Sequence, residues 1–283
     1  MVKVRVGRNQ QVVVRLWAAL ALLLAMLVVA PGSRAATMPS FQSLPPVLAG
    51  LKAPEVVALG SAEEIYVAEP SEDRVLAFSP NGQYLSTIAG FSEPISIAVG
   101  PGGDIFVGNA GRGNVEIYSS EFALIGELGV GAGEFVRPTG VAVDAAGKIY
   151  VTDGGADLVK VYNPDYSFDF SFGGTGTTDG LFNTPIAITI NDATSEVVVS
   201  DLAIVQKYNS GWKDTVRIQV FNLLDGVFKR LFYTYGPGDS HVRPLGLAVD
   251  GTAADSNRIY VSDAYQNMVL VYDNIGTYLG YIH

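Results

Sequence analysis

Pro138-Thr139-Gly140-Val141-Ala142-Val143-Asp144, then Ala145-Ala146-Gly147, then Ile149-Tyr150-Val151-Thr152-Asp153 is the stretch that decides the fold. A short apolar run is bounded by turn formers, and a β-branched, aromatic run follows it. Gly154-Gly155 opens another turn, and Val159-Lys160-Val161-Tyr162 alternates apolar and polar residues. After Asn163-Pro164, Phe168-Asp169-Phe170-Ser171-Phe172-Gly173 alternates again. Four short strands joined by three turns make an antiparallel meander. The first strand is almost wholly apolar or small, as a strand covered on both faces must be. The last two alternate, as strands with one wetter face do.

The same phrase recurs. Pro54, Pro94, Pro138, Pro185 and Pro244 each open a copy, at spacings of 40, 44, 47 and 59 residues. The second strand reads Ile65-Tyr66-Val67, Ile105-Phe106-Val107, Ile149-Tyr150-Val151, Val197-Val198-Val199 and Ile259-Tyr260-Val261. Two residues later stand Glu69, Asn109, Asp153, Asp201 and Asp263, and the third strand ends in Phe78, Tyr118, Tyr162, Phe221 or Tyr272. A period of this size without helical patterning predicts an all-β fold, a β-propeller of four-stranded blades.

Pro138-Thr139-Gly140-Val141-Ala142-Val143-Asp144, Ile149-Tyr150-Val151-Thr152-Asp153 and a third strand such as Arg217-Ile218-Gln219-Val220-Phe221 resemble the NHL repeat. The match is best over 138–173 and nearly as good over 244–282. Segments 54–90 and 94–129 keep the apolar pattern but lack the glycine and the first aspartate. The resemblance spans residues 44–283 and implies a six-bladed propeller, the usual NHL form; it does not fix the chemistry. Within the chain, Thr277–Ile282 reads as the fourth strand of blade five. Val47-Leu48-Ala49-Gly50 stands before Pro54 as Ile88-Ala89-Gly90 stands before Pro94. The expectation is therefore five full blades plus an orphan fourth strand at 44–50, six blades if three further strands follow His283. The alternative is a five-bladed or open ring whose N-terminal strand covers an edge.

Residues 1–36 read as a secretory signal peptide. Lys3, Arg5, Arg8 and Arg15 precede the apolar run Leu16–Ala30, and Ser33-Arg34-Ala35-Ala36 supplies small residues for cleavage. Residues 37–43 are a short linker. Fifteen apolar residues are few for a membrane span, and no later stretch is long enough. The expected destination is the periplasm, the extracellular space or the cell surface. The full chain has a net charge of −10, and residues 1–36 hold five of its 18 basic residues and no acid. The remaining surface is more acidic still, which excludes nucleic acid as a partner class. There is no cysteine and hence no disulfide or thiol chemistry.

Three groups of residues are candidates for a site. Between Val199 and Ile218 blade four has 19 residues where the other blades have 8. The extra residues fall within Leu202–Val216 and include Tyr208, Trp212 and Lys213. A long connection on the face that also carries the inter-blade linkers is where a protein or small extracellular ligand would dock, unless it only packs over a neighbouring blade. Arg137 and Arg243 precede their blade-opening prolines, with His241 nearby. They could meet a carboxylate or phosphate, or simply pair with neighbouring acids. Glu69, Asn109, Asp153, Asp201 and Asp263 form a recurrent ring that could bind calcium through oxygen ligands. Recurrence in every blade favours turn chemistry instead, each side chain bonding its own backbone. Only His241 and His283 are histidines, which excludes a histidine-built zinc site. The residues favour a binding module without a cofactor. The alternatives are a calcium-dependent propeller hydrolase or lactonase, and a structural repeat segment of a larger surface protein.

Overall fold

The computed structural model describes residues 2–6, 10–14, 48, 50–129, 134–208, 211–234, 244–250 and 257–282. Strands β1 (Val2–Val6) and β2 (Gln10–Val14) pair as a separate antiparallel hairpin. The apolar run 16–30 and most of the 44–50 segment lie outside the described residues. Among the described residues no helix is long and apolar enough to cross a membrane.

The remaining strands form five four-stranded antiparallel sheets, each a meander in chain order. Blade one is β3 (Val56–Leu59), β4 (Ile65–Glu69), β5 (Arg74–Phe78) and β6 (Tyr84–Ala89). Blade two is β7 (Pro94–Val99), β8 (Ile105–Asn109), β9 (Asn114–Tyr118) and β10 (Leu124–Leu128). Blade three is β11 (Pro138–Val143), β12 (Ile149–Asp153), β13 (Leu158–Tyr162) and β14 (Phe168–Gly173). Blade four is β15 (Pro185–Asn191), β16 (Glu196–Tyr208), β17 (Gly211–Asn222) and β18 (Phe228–Thr234). Blade five is β19 (Pro244–Val249), β20 (Ile259–Asp263), β21 (Met268–Tyr272) and β22 (Tyr278–Ile282). This is a five-bladed propeller. The described residues build no sixth blade, so the six-bladed form is not what is found.

Burial follows strand position. Second strands β4, β8, β12 and β20 are buried at every residue, because neighbouring blades cover both faces. Outer strands are largely exposed. Between blades the core is apolar: Phe135 and Leu128 lie with Tyr162 and Val151 between blades two and three, and Phe182 with Phe221 and Tyr150 between blades three and four. Inner strands β3, β7, β11, β15 and β19 line a central cavity of about 110 Å³, to which Glu55, Ser96, Thr139, Ala187 and Gly246 contribute. That holds a few water molecules, not a drug-sized ligand.

The extra residues of blade four are not a loop. β16 and β17 run on past the blade in continuous register, from Leu202↔Val216 and Ala203↔Thr215 to Lys207↔Trp212 and Tyr208↔Gly211, with an irregularity between Ile204 and Gln206. The insertion is a two-stranded ribbon arm growing from the linker face. Glycine and proline are scarce in it, and its β-branched and aromatic residues suit pairing better than a solvated loop.

Candidate functional site

The base of the arm is the most elaborate polar site in the molecule. Arg217 is fully buried, although arginine seldom is. Its Nε donates to Asp201 Oδ2 at 2.7 Å. Nη1 donates to the carbonyls of Thr177 and Thr178 at 2.6 and 3.3 Å, and Nη2 to those of Gly176 and Leu181 at 3.2 and 2.5 Å. All five guanidinium donors are used. Gln219, two residues on, donates to Leu181 O at 2.8 Å and accepts from Gly180 N at 3.0 Å. The linker from blade three to blade four is thus folded around two side chains of the strand that carries the arm. Burial pushes the Asp201 carboxyl up, against the lowering effects of Arg217 and of the Asn183 amide.

The ring residues repeat this theme in simpler form. All five are fully buried. Glu69 accepts from the backbone amides of Lys52 and Ala53. Asn109 accepts from Ser92 N at 2.7 Å. Asp153 Oδ1 accepts from Val136 N and Arg137 N at 3.1 and 2.8 Å, and Asp201 Oδ1 from Asn183 N at 2.8 Å. Each clamps the one or two residues before its own blade's proline. Capping of the residue's own turn, the expected role, occurs in Asp263, which accepts from Tyr265 N at 2.9 Å. The other four reach back 16 to 18 residues instead. A linker amide that would otherwise be buried without an acceptor explains the difference.

The counter-groups come from the third strand. Arg74 meets Glu69 Oε2 through Nε at 2.8 Å, and Lys160 Nζ meets Asp153 Oδ2 at 3.0 Å. Blade two inverts the arrangement: neutral Asn109 donates through Nδ2 to Glu116 Oε1 at 2.7 Å, and that carboxylate also takes Arg112 and the Tyr118 hydroxyl. Burial, then the Glu116 bond, pushes the Tyr118 phenol up. Sequence reading missed these partners. The signal was present in the aligned blades, where an acid in the ring accompanies a cation in the third strand and an amide accompanies an acid.

The structure does not bring the remaining candidates together into one pocket. The Arg137 side chain pairs with Glu93 Oε2 at 3.0 Å rather than with the ring, and both groups are half exposed. These are the pre-proline residues of adjacent blades, so the pair ties blade two to blade three on the linker face. Tyr208, Trp212 and Lys213 fall on the arm, paired in register as given above. Arg243 and His241 lie outside the described residues.

A propeller whose sheets repeat one polar clamp on its linker face, with one blade extended into an arm, is the class these features define. Residues 135–162 match the NHL repeat, so the chain is a β-propeller carrying that repeat. No curated protein matches the chain in sequence. Among solved structures, Kuenenia stuttgartiensis hydrazine synthase is similar with a TM-score of 0.60 at 15% identity, over 81% of this chain. This chain spans 65% of that one's length. A catalytically inactive virginiamycin B lyase from Staphylococcus aureus with quinupristin gives 0.56 at 13% identity, covering 86% of this chain and 73% of that one. A nidogen/laminin complex gives 0.57 at 18% identity, covering 80% and 78%. At such identities the likeness is one of fold.

Proposed function

We propose that this chain is an exported binding module whose partner docks on the linker face, with the ribbon arm as its main contact. The observation that carries this reading is the arm itself. One blade of five departs from the repeat, and it does so by projecting a paired ribbon from a base locked by Arg217. A rigid base under a projecting element favours recognition, because less conformational entropy is lost on binding. Tyr208 and Trp212 are residue types that anchor interfaces, and Arg137, Lys213, Arg243 and His241 add polar contacts on the same face. Export rests on the basic start and apolar run of residues 1–36.

The fold does not choose between binding and catalysis. The ring acids favour binding, since their oxygens are committed to linker amides and third-strand partners. Calorimetric titration with calcium decides the hydrolase or lactonase alternative: tight binding with a raised Tm would support it. The main test replaces Ile204–Asp214 with Asn-Gly, which closes Ala203 and Thr215 into a two-residue hairpin. The shortened protein should keep the Tm of the parent but lose the protein or small ligand that the parent captures from the native envelope fraction. Undiminished capture would refute the placement of the site.

A further inference from the structure

Neighbouring blades pack through one set of positions. The central residue of each second strand faces the following blade: Tyr66, Phe106, Tyr150 and Val198 lie in clusters shared with blades two, three, four and five. The residues flanking it face the preceding blade, as Ile259 and Val261 of blade five do toward blade four. Two sets are left over. Ile65, Val67 and Phe78 of blade one cluster with Leu48 and Leu51 and with residues of their own blade. Tyr260, Val271 and Ile282 of blade five cluster with their own Val269 and Leu279. Direct packing of blade five on blade one would merge these sets. Among the described residues they are separate.

Polar atoms mark the same seam. In blade three the Tyr150 hydroxyl donates to Leu223 O of the next blade at 3.0 Å. Tyr260 holds the equivalent position in blade five and is 5% exposed, yet its hydroxyl makes no hydrogen bond. Arg258 Nη1 and Asn257 Oδ1, just before it in the chain, are buried without partners as well. On the blade-one side, Leu48 is buried, Gly50 takes φ +82° and Leu51 packs under the blade. Ile88, Gly90 at φ +95° and Phe91 do the same where blade one hands over to blade two. The chain at Leu48–Leu51 therefore has the form of a fourth strand's end arriving from a preceding blade.

We propose that the seam between blades five and one is a docking slot for three antiparallel strands of the same repeat, presented by a partner polypeptide, which complete a sixth blade with the strand ending at Gly50. The occupant chemistry is specified by what is missing. It has an apolar second strand to cover Val271 and Phe78, a turn carbonyl to accept from Tyr260, and a carbonyl or carboxylate for Arg258. Length supports strands one to three as the unit, since a lone added strand reaches one edge and cannot fill both faces.

The probe is a labelled peptide of this chain's own residues 138–163, three strands of blade three, presented on a soluble carrier. Added to the full chain it should bind saturably at one to one and raise Tm with concentration. Tyr260→Phe should weaken binding roughly fivefold, the worth of one hydrogen bond, while leaving the free protein's Tm unchanged or higher. Tyr150→Phe should instead lower that Tm. Leu48→Asp should abolish binding. No binding to the folded protein, or binding indifferent to Tyr260→Phe, would overturn the proposal. So would self-association in sedimentation that Leu48→Asp disrupts, because a second copy would then be the occupant.

Discussion

Replacing Arg217 with methionine removes the guanidinium while keeping most of the side-chain length. Four buried carbonyls and the Asp201 carboxylate then lose their donor at once. A buried acceptor left unmet costs about 1–3 kcal/mol, and a buried ion stripped of its partner about 3–5 kcal/mol. The linker carbonyls can swing toward water, so the terms do not add in full, and the expected loss is about 3–5 kcal/mol. Urea denaturation at neutral pH measures it as a shift in midpoint with an unchanged slope. Arg217→Met combined with Asp201→Asn should recover about 1–2 kcal/mol of the loss, because the stranded charge is gone. Hydrogen exchange should show faster exchange at Gly180 and Leu181 in the single variant. A loss under about 1 kcal/mol, or strictly additive single losses, would refute the claim that this cage holds the linker to the arm's base.

The clamp in blade three offers a second check. Asp153→Asn should cost about 2 kcal/mol by stranding Lys160, which is only 8% exposed. Adding Lys160→Glu recreates the amide–carboxylate pair of Asn109 and Glu116 and should restore part of that loss in thermal melts. A third prediction concerns acid stability. Burial works to raise the Glu196 carboxyl, but hydrogen bonds from Arg230 and Lys229 hold it at about 2, below the model value of 4.5. A depressed carboxyl stabilises the fold above its unfolded pKa. The contribution, up to about 3 kcal/mol, disappears as pH falls from about 4.5 to about 2. Glu196→Gln should flatten the stability curve in that window relative to the parent, and parallel curves would exclude the assigned role.

Much of this architecture was legible in the chain, because a propeller repeats its physics. The Ile-Tyr-Val core of each second strand, the strand-end acids and the opening prolines all hold their offsets, and each became a buried strand, a clamp or a blade start. Two readings fell short for physical reasons. Leu202–Val216 looked like a loop since its length broke the period, but strand length has no fixed limit when a ribbon leaves the sheet. The ring acids looked self-sufficient because Asp and Asn so often bond their own turns. Their actual donors lie 16–18 residues upstream, a distance at which local pattern carries no signal. Arg217 was read only as part of an alternating strand, although an arginine flanked by buried positions asks for several acceptors.

The clamps have a consequence for how such a molecule changes over generations. Each joins a linker to the blade it opens, while contact between blades is almost wholly apolar. A whole blade with its linker is therefore electrically self-contained. Duplicating, deleting or exchanging one leaves no buried charge behind, and the newcomer need only match shape and greasiness at two faces. Glu93 with Arg137, at the solvent's edge, is an exception that can be lost at little cost. The blade is the heritable unit of this fold, and variety of function can accumulate in one of them, as it has in the fourth, while the rest stay as they were.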